Sequence, residues 1–123
     1  MLLEDNFFTI QSINTAEGAT TAIIELNASH KIFEGHFPGQ PVVPGVCMMQ
    51  IVKELLENVL VKETRLVKAD HLKFLSVINP LENNIAQVEL KYAGNESNDI
   101  NLTATITNSS ATCFKMKAVF KQL

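Results

Sequence analysis

An α+β fold, with an antiparallel sheet wrapped around one long central helix, is the architecture that this 123-residue sequence predicts. Three observations point to it. One stretch repeats apolar residues at helical spacing, several others alternate apolar and polar residues with period two, and short turn signals separate the last three of these. Strands that follow one another at hairpin distance pair antiparallel, and an isolated apolar-faced helix then has only the sheet to pack on.

The elements follow in order. Stretches near Phe7–Ile13 and Thr20–Leu26 are rich in β-formers and read as two strands. Between Gly35 and Gly45 stand Pro38, Pro41 and Pro44 with Gly35, Gly39 and Gly45, a segment that continues neither a helix nor a central strand. Directly after it, from Val46 to Leu60, Met48, Met49, Val52, Leu55, Leu56, Val59 and Leu60 recur at three- and four-residue spacing with no Pro or Gly, which predicts a helix. Gln50, Lys53, Glu54, Glu57 and Asn58 fall on its opposite side, while Val46 and Cys47 make its first turn the more enclosed end. Leu66 to Ile78 reads as a further strand closed by Asn79-Pro80. Val88, Leu90 and Tyr92 mark another, Ile100, Leu102, Ala104 and Ile106 the next, and Phe114, Met116, Ala118 and Phe120 the last. Gly94-Asn95 and Asn108-Ser109-Ser110 supply the turns between these three.

Composition excludes several classes of function. With 46% hydrophobic and 19% charged residues, no repeat and no Pro-, Gly- or Ser-rich linker, residues 1–123 read as one domain with a core of its own. A net charge of -3 provides no general basic field for nucleic acid. Cys47 and Cys113 form no CxxC and the three histidines no HxxH, so neither a metal nor another cofactor is expected. The N-terminal segment carries acids where a signal peptide needs basic residues, and no apolar run approaches a membrane span, so a cytoplasmic location is expected. Asn-x-Ser/Thr triplets start at Asn27, Asn95, Asn101 and Asn108, and these asparagines read as surface polar residues.

The chemistry concentrates in the Pro/Gly segment. His36 stands in Gly35-His36-Phe37-Pro38-Gly39-Gln40-Pro41-Val42-Val43-Pro44-Gly45, which leads into the helix. Prolines hold a loop in one shape, and a helix start exposes unpaired N–H groups with partial positive charge that suit a carbonyl oxygen gaining negative charge. A histidine near such a carbonyl takes and returns protons near neutral pH. On residue grounds alone His36 is either that base or a hydrogen-bonded loop side chain. Glu54, four residues after Gln50, is on the same grounds either an acid or a solvated helix glutamate, and His71 is a strand side chain.

The run Phe33-x-Gly35-His36-Phe-Pro-Gly-x-Pro-x-x-Pro-Gly-Val, followed by an apolar helix, resembles the signature of bacterial 3-hydroxyacyl-[acyl-carrier-protein] dehydratases of the hotdog fold. Leu72-Lys73-Phe74 and Val77-Ile78-Asn79-Pro80 resemble later parts of that family less closely. The resemblance implies a dimer, or a larger even oligomer, whose sheets join edge to edge with sites at the subunit boundary. It implies that His36 removes the C2 proton of a 3-hydroxyacyl thioester and that the Gly45 N–H holds the thioester carbonyl, with Phe37, Pro44 and Val46 around the substrate. The family's third group is a carboxylic acid on the partner's helix, fourteen residues after the histidine. Here that position is Gln50.

A glutamine holds a hydroxyl by hydrogen bonds but delivers no proton to departing water. Two functions follow as expectations. The first is a lyase that converts a 3-hydroxyacyl thioester into a trans-2-enoyl thioester in fatty acid or related acyl-chain synthesis, with an acyl-carrier protein or coenzyme A bearing the substrate. The second is an impaired homologue that binds acyl thioesters or forms a heterodimer with an active dehydratase subunit. An acyl thioesterase is a third reading, which Gln50 disfavours equally. Lys62, Arg65 and Lys68, after the helix, are the expected docking point for an acidic carrier protein.

Overall fold

The structure is a computed structural model, and it describes residues 3–33, 42–94 and 97–123. Six strands and one long helix form it: β1 (Phe8–Ala16), β2 (Ala19–Leu26), α1 (Gly45–Leu60), β3 (Thr64–Phe74), β4 (Ile85–Gly94), β5 (Asp99–Asn108) and β6 (Ala111–Gln122), with a 3-10 turn at Lys31–Phe33. Every neighbouring pair in the sheet order β1-β2-β4-β5-β6-β3 is antiparallel. This is the expected hotdog arrangement. Two edges remain, and β3 is one of them.

Period-two alternation becomes rows of side chains across the inner face of the sheet. Ala22, Val88, Ile106, Phe114 and Phe74 stand opposite one another on successive strands, and Thr20, Leu90, Ala104, Met116 and Leu72 form the next row. Against these rows α1 buries Met48, Ile51, Val52, Leu55 and Leu56, the last three with no exposed surface. Removing that much apolar area from water is the main stabilising term, and truncating Leu55 or Leu56 to Ala is worth about 2–5 kcal/mol. Ser109 and Ser110, with φ of 53° and 68°, make the two-residue turn between β5 and β6, the left-handed pair that a right-twisted hairpin requires.

Four details depart from the sequence reading. The strand expected over 66–78 runs from Thr64 to Phe74. Ile78 leaves the ladder and is buried, and its carbonyl accepts the Val43 N–H at 2.9 Å. Val46 is 68% exposed, although Cys47 and Met48 beside it are buried and keep the first turn of α1 more enclosed than its last. Asn108 is buried, its Nδ2 donating to the carbonyls of Asn83 at 3.1 Å and Ile85 at 2.8 Å, and so is no surface residue. Glu54 is 4% exposed, although helical spacing places it on the polar side.

Candidate active site

The start of α1 is built from backbone. Pro44 precedes it in an extended conformation (φ -63°, ψ 147°) and contributes no side-chain cap. Cys47 and Met48 make the first helical bonds, donating to the Pro44 carbonyl at 3.0 and 3.2 Å, so the N–H groups of Gly45 and Val46 precede the intrahelical ladder. Gly45 is required by close approach: a Cβ there would lie 2.7 Å from Cε1 and 2.9 Å from Cζ of Phe74. Phe74 in turn packs on Phe114, ring centroids 5.1 Å apart. The helix start therefore rests on the end of β3. A mostly apolar cleft of about 500 Å³ opens there, lined by Pro44, Gly45, Met48, Phe74 and Leu75–Val77. It offers an uncapped N–H terminus and room for an apolar chain side by side.

Gln50 lies elsewhere. It lines a second depression of about 230 Å³ with Val46, Met49, Lys53, Arg65, Leu66, Met116 and Phe120, so one chain does not bring Gln50 and the Gly45 cleft together. Its amide is held by Glu54, with Nε2 donating to Oε2 at 2.9 Å. Glu54 accepts three further contacts: the Leu3 N–H reaches Oε1 at 2.9 Å and Oε2 at 2.8 Å, and the Glu4 N–H reaches Oε1 at 2.8 Å. A carboxylate that accepts from all these donors is an anchor for the N-terminal segment and for Gln50. That overturns the reading of Glu54 as a solvated helix glutamate. No sequence signal pointed to this anchor, because its partners are backbone groups fifty residues away.

Burial raises the Cys47 thiol above its ordinary value, and the residue acts as a small apolar part of the core. Glu4 is pushed above the usual carboxylate range, first by burial and then by the charges of Asp5 and Glu54. His71 stands exposed on β3. His36 and Phe37 lie outside the described residues, as do the motif's Gly35, Pro38, Gly39 and Pro41. Among the described residues no group of three or more His, Cys, Asp or Glu side chains is placed to hold a metal, and no helix is long and apolar enough to cross a membrane.

A six-stranded antiparallel sheet around one helix, entered through a Pro-Gly segment beside an apolar cleft, defines a hotdog-fold protein of the dehydratase-like kind. Within that class the chain belongs to the ApeI-like family: the sequence profile of that family, described as ApeI dehydratase, matches residues 12–117. No curated protein matches the chain. Among solved structures it is similar to the dehydratase heterocomplex ApeI:P from Xenorhabdus doucetiae, with a TM-score of 0.73 and 18% identity over 91% of this chain and 96% of that one. An uncharacterized protein from Erwinia carotovora subsp. atroseptica gives 0.68 and 18% identity over 94% of each chain. A hypothetical thioesterase with coenzyme A from Streptococcus pneumoniae gives 0.69 and 8% identity over 94% of this chain and 85% of that one. At these identities the likeness is one of fold.

Proposed function

We propose that this chain is a hydro-lyase of the 3-hydroxyacyl thioester class, releasing water to leave a trans-2-enoyl thioester, with the acyl chain carried by an acyl-carrier protein or coenzyme A. The observation that carries the reading is the uncapped start of α1 at Gly45, open to an apolar cleft of about 500 Å³. There a thioester oxygen takes the Gly45 N–H, Pro44 and Val46 flank it, and the acyl chain lies along Met48 and Phe74. In this reading His36, with Phe37 beside it, faces C2 from the Pro/Gly segment. It takes the C2 proton as the carbonyl becomes an enolate, and the electron pair then expels the C3 hydroxyl. Gln50 orients that hydroxyl but adds no proton, so the proton His36 has taken is the one returned to the departing water.

The separation of Gln50 from the Gly45 cleft supports a site shared by two chains. Thr64 is the one buried residue of the edge strand β3, the other ten positions being exposed, and inward-facing Leu66, Leu72 and Phe74 lack cover. Backbone pairing of two β3 edges would cover that face and bring the α1 of one protomer toward the cleft of the other. A homodimer is the simplest such unit. A heterodimer with an active dehydratase subunit is favoured by one specific observation: the Gln50 amide is tied to a carboxylate and supplies no acid.

The test is turnover of a 3-hydroxyacyl and a trans-2-enoyl thioester by the purified protein, beside His36→Ala and Gln50→Glu. Turnover lost in His36→Ala supports the lyase, and turnover retained there refutes the mechanism. Gln50→Glu puts a carboxyl group at the position where the family resemblance implies one. A silent parent with an active Gln50→Glu variant identifies the impaired, partner-dependent form. Release of free acid and thiol would identify a thioesterase instead.

A further inference from the structure

Charge is segregated in this chain to a degree that its net value of -3 conceals. β3 and β6 carry six of the ten Lys and Arg residues, Arg65, Lys68, Lys73, Lys115, Lys117 and Lys121, against Asp70 alone of the thirteen acids. The two strands therefore hold a net +5 and the rest of the chain -8. Register places all six on the outer face, because their neighbours Leu66, Leu72 and Phe74 stand opposite the buried Phe120, Met116 and Phe114. Arg65 faces Lys121, Lys73 faces Lys115 and His71 faces Lys117 directly across the ladder.

Like charges directly opposite on antiparallel strands are destabilising. Lys68 is relieved by Asp70 at 3.6 Å, and Asp99 stands opposite Lys121. Among the described residues no carboxylate lies within ion-pairing distance of Lys73, Lys115 or Lys117. These three, with His71 and Thr103, surround a depression of about 250 Å³. Lys73 precedes Phe74, whose ring packs on Gly45 and lines the cleft, so the basic face and the cleft share that end of β3 on opposite sides of the sheet.

We infer that the outer face of β3 and β6 is a docking surface for an acidic protein that delivers the thioester on a flexible arm. This rests on the proposed reaction and replaces the docking point expected at Lys62, Arg65 and Lys68 with a face centred on Lys73, Lys115 and Lys117. The occupant follows from complementarity: an acidic partner is repelled by most of this chain and attracted here, which sets its orientation as well as its encounter rate. Pairing along the β3 edge uses backbone groups and leaves these side chains exposed, since they stand perpendicular to the sheet.

The experiment compares the parent with Lys115→Glu, with the triple variant Lys73→Glu, Lys115→Glu, Lys117→Glu, and with Lys62→Glu in the turn after α1 as a control outside the sheet. One acyl group is supplied on an acidic holo-carrier protein and on a small pantetheine thioester, and carrier binding is measured directly by fluorescence anisotropy at low salt. The expected result is a rise of about tenfold or more in carrier Kd and KM for the triple variant, with the salt dependence lost, turnover of the small thioester unchanged and carrier binding by Lys62→Glu unchanged. Lys115→Glu places opposite charges across the ladder and should unfold no more easily than the parent, which separates docking from folding. Unchanged carrier binding in the triple variant, or binding by the parent of anionic phospholipid vesicles or duplex DNA in place of the carrier, overturns the inference. Salt-sensitive carrier binding without turnover of either substrate overturns the reaction and leaves the surface standing.

Discussion

Replacing Glu54 tests whether a buried carboxylate ties the N-terminal segment to the helix that carries Gln50. In Glu54→Ala the N–H groups of Leu3 and Glu4 and the Gln50 amide all lose their acceptor. A buried donor left unsatisfied costs about 1–3 kcal/mol, and water reaches Glu4 and Gln50 more readily than Leu3, so the total should be about 3–4 kcal/mol. That is a large share of the roughly 5–15 kcal/mol that a domain commands. In a urea titration followed by circular dichroism it corresponds to a midpoint lower by about 2 M with an unchanged slope. Glu54→Gln keeps the shape but turns one acceptor into a donor, and should lose about 1–2 kcal/mol while forcing either amide to reverse. A Glu54→Ala midpoint within about 0.3 M of the parent would refute the assignment, because a carboxylate holding these donors is not removed at so small a cost.

Other predictions rest on separate contacts. Gly45→Ala brings a Cβ within 2.7 Å of the Phe74 ring, so the ring must swing into the cleft; KM for acyl thioesters should rise by about tenfold or more, and an unaltered KM would show that the cleft is not the acyl site. Val61 closes α1 in the left-handed region (φ 54°, ψ 41°) and is 86% exposed, so Val61→Gly should add about 1 kcal/mol of stability, read as a higher Tm. Glu4 holds its proton more tightly in the folded chain than its ordinary value of 4.5 implies. Its ionisation therefore opposes folding at neutral pH, and that penalty fades as pH falls through the carboxylate range. Glu4→Gln should unfold at a higher temperature than the parent at neutral pH, the gap closing below the ordinary value of 4.5, and a gap independent of pH would exclude this cause.

The periodic elements were legible in the sequence. The expected helix over 46–60 is α1 within one residue, and the alternating stretches became β4, β5 and β6 with their apolar members inward. Local pattern suffices there because a face buried along a whole element must repeat with the period of that element. Gly45 was legible as the start of the helix, and the Pro/Gly motif carried the family resemblance that the profile match over 12–117 bears out. That Gln50 stands in an acid's place is an expectation from that resemblance alone.

Tertiary structure alone decided the rest. Spacing put Glu54 on the polar side of α1, yet it is buried because the backbone of Leu3 and Glu4 meets it, and backbone donors leave no mark on sequence. Val46, apolar beside the buried Cys47, is itself 68% exposed, since an apolar residue shows that cover is wanted but not whether its own chain supplies it. The basic face arises the same way. Arg65 and Lys121, or Lys73 and Lys115, are more than forty residues apart and become neighbours only when β3 pairs with β6. Period fixes which side of an element a residue takes, whereas the groups that meet it there are set by long-range pairing, which no local pattern encodes.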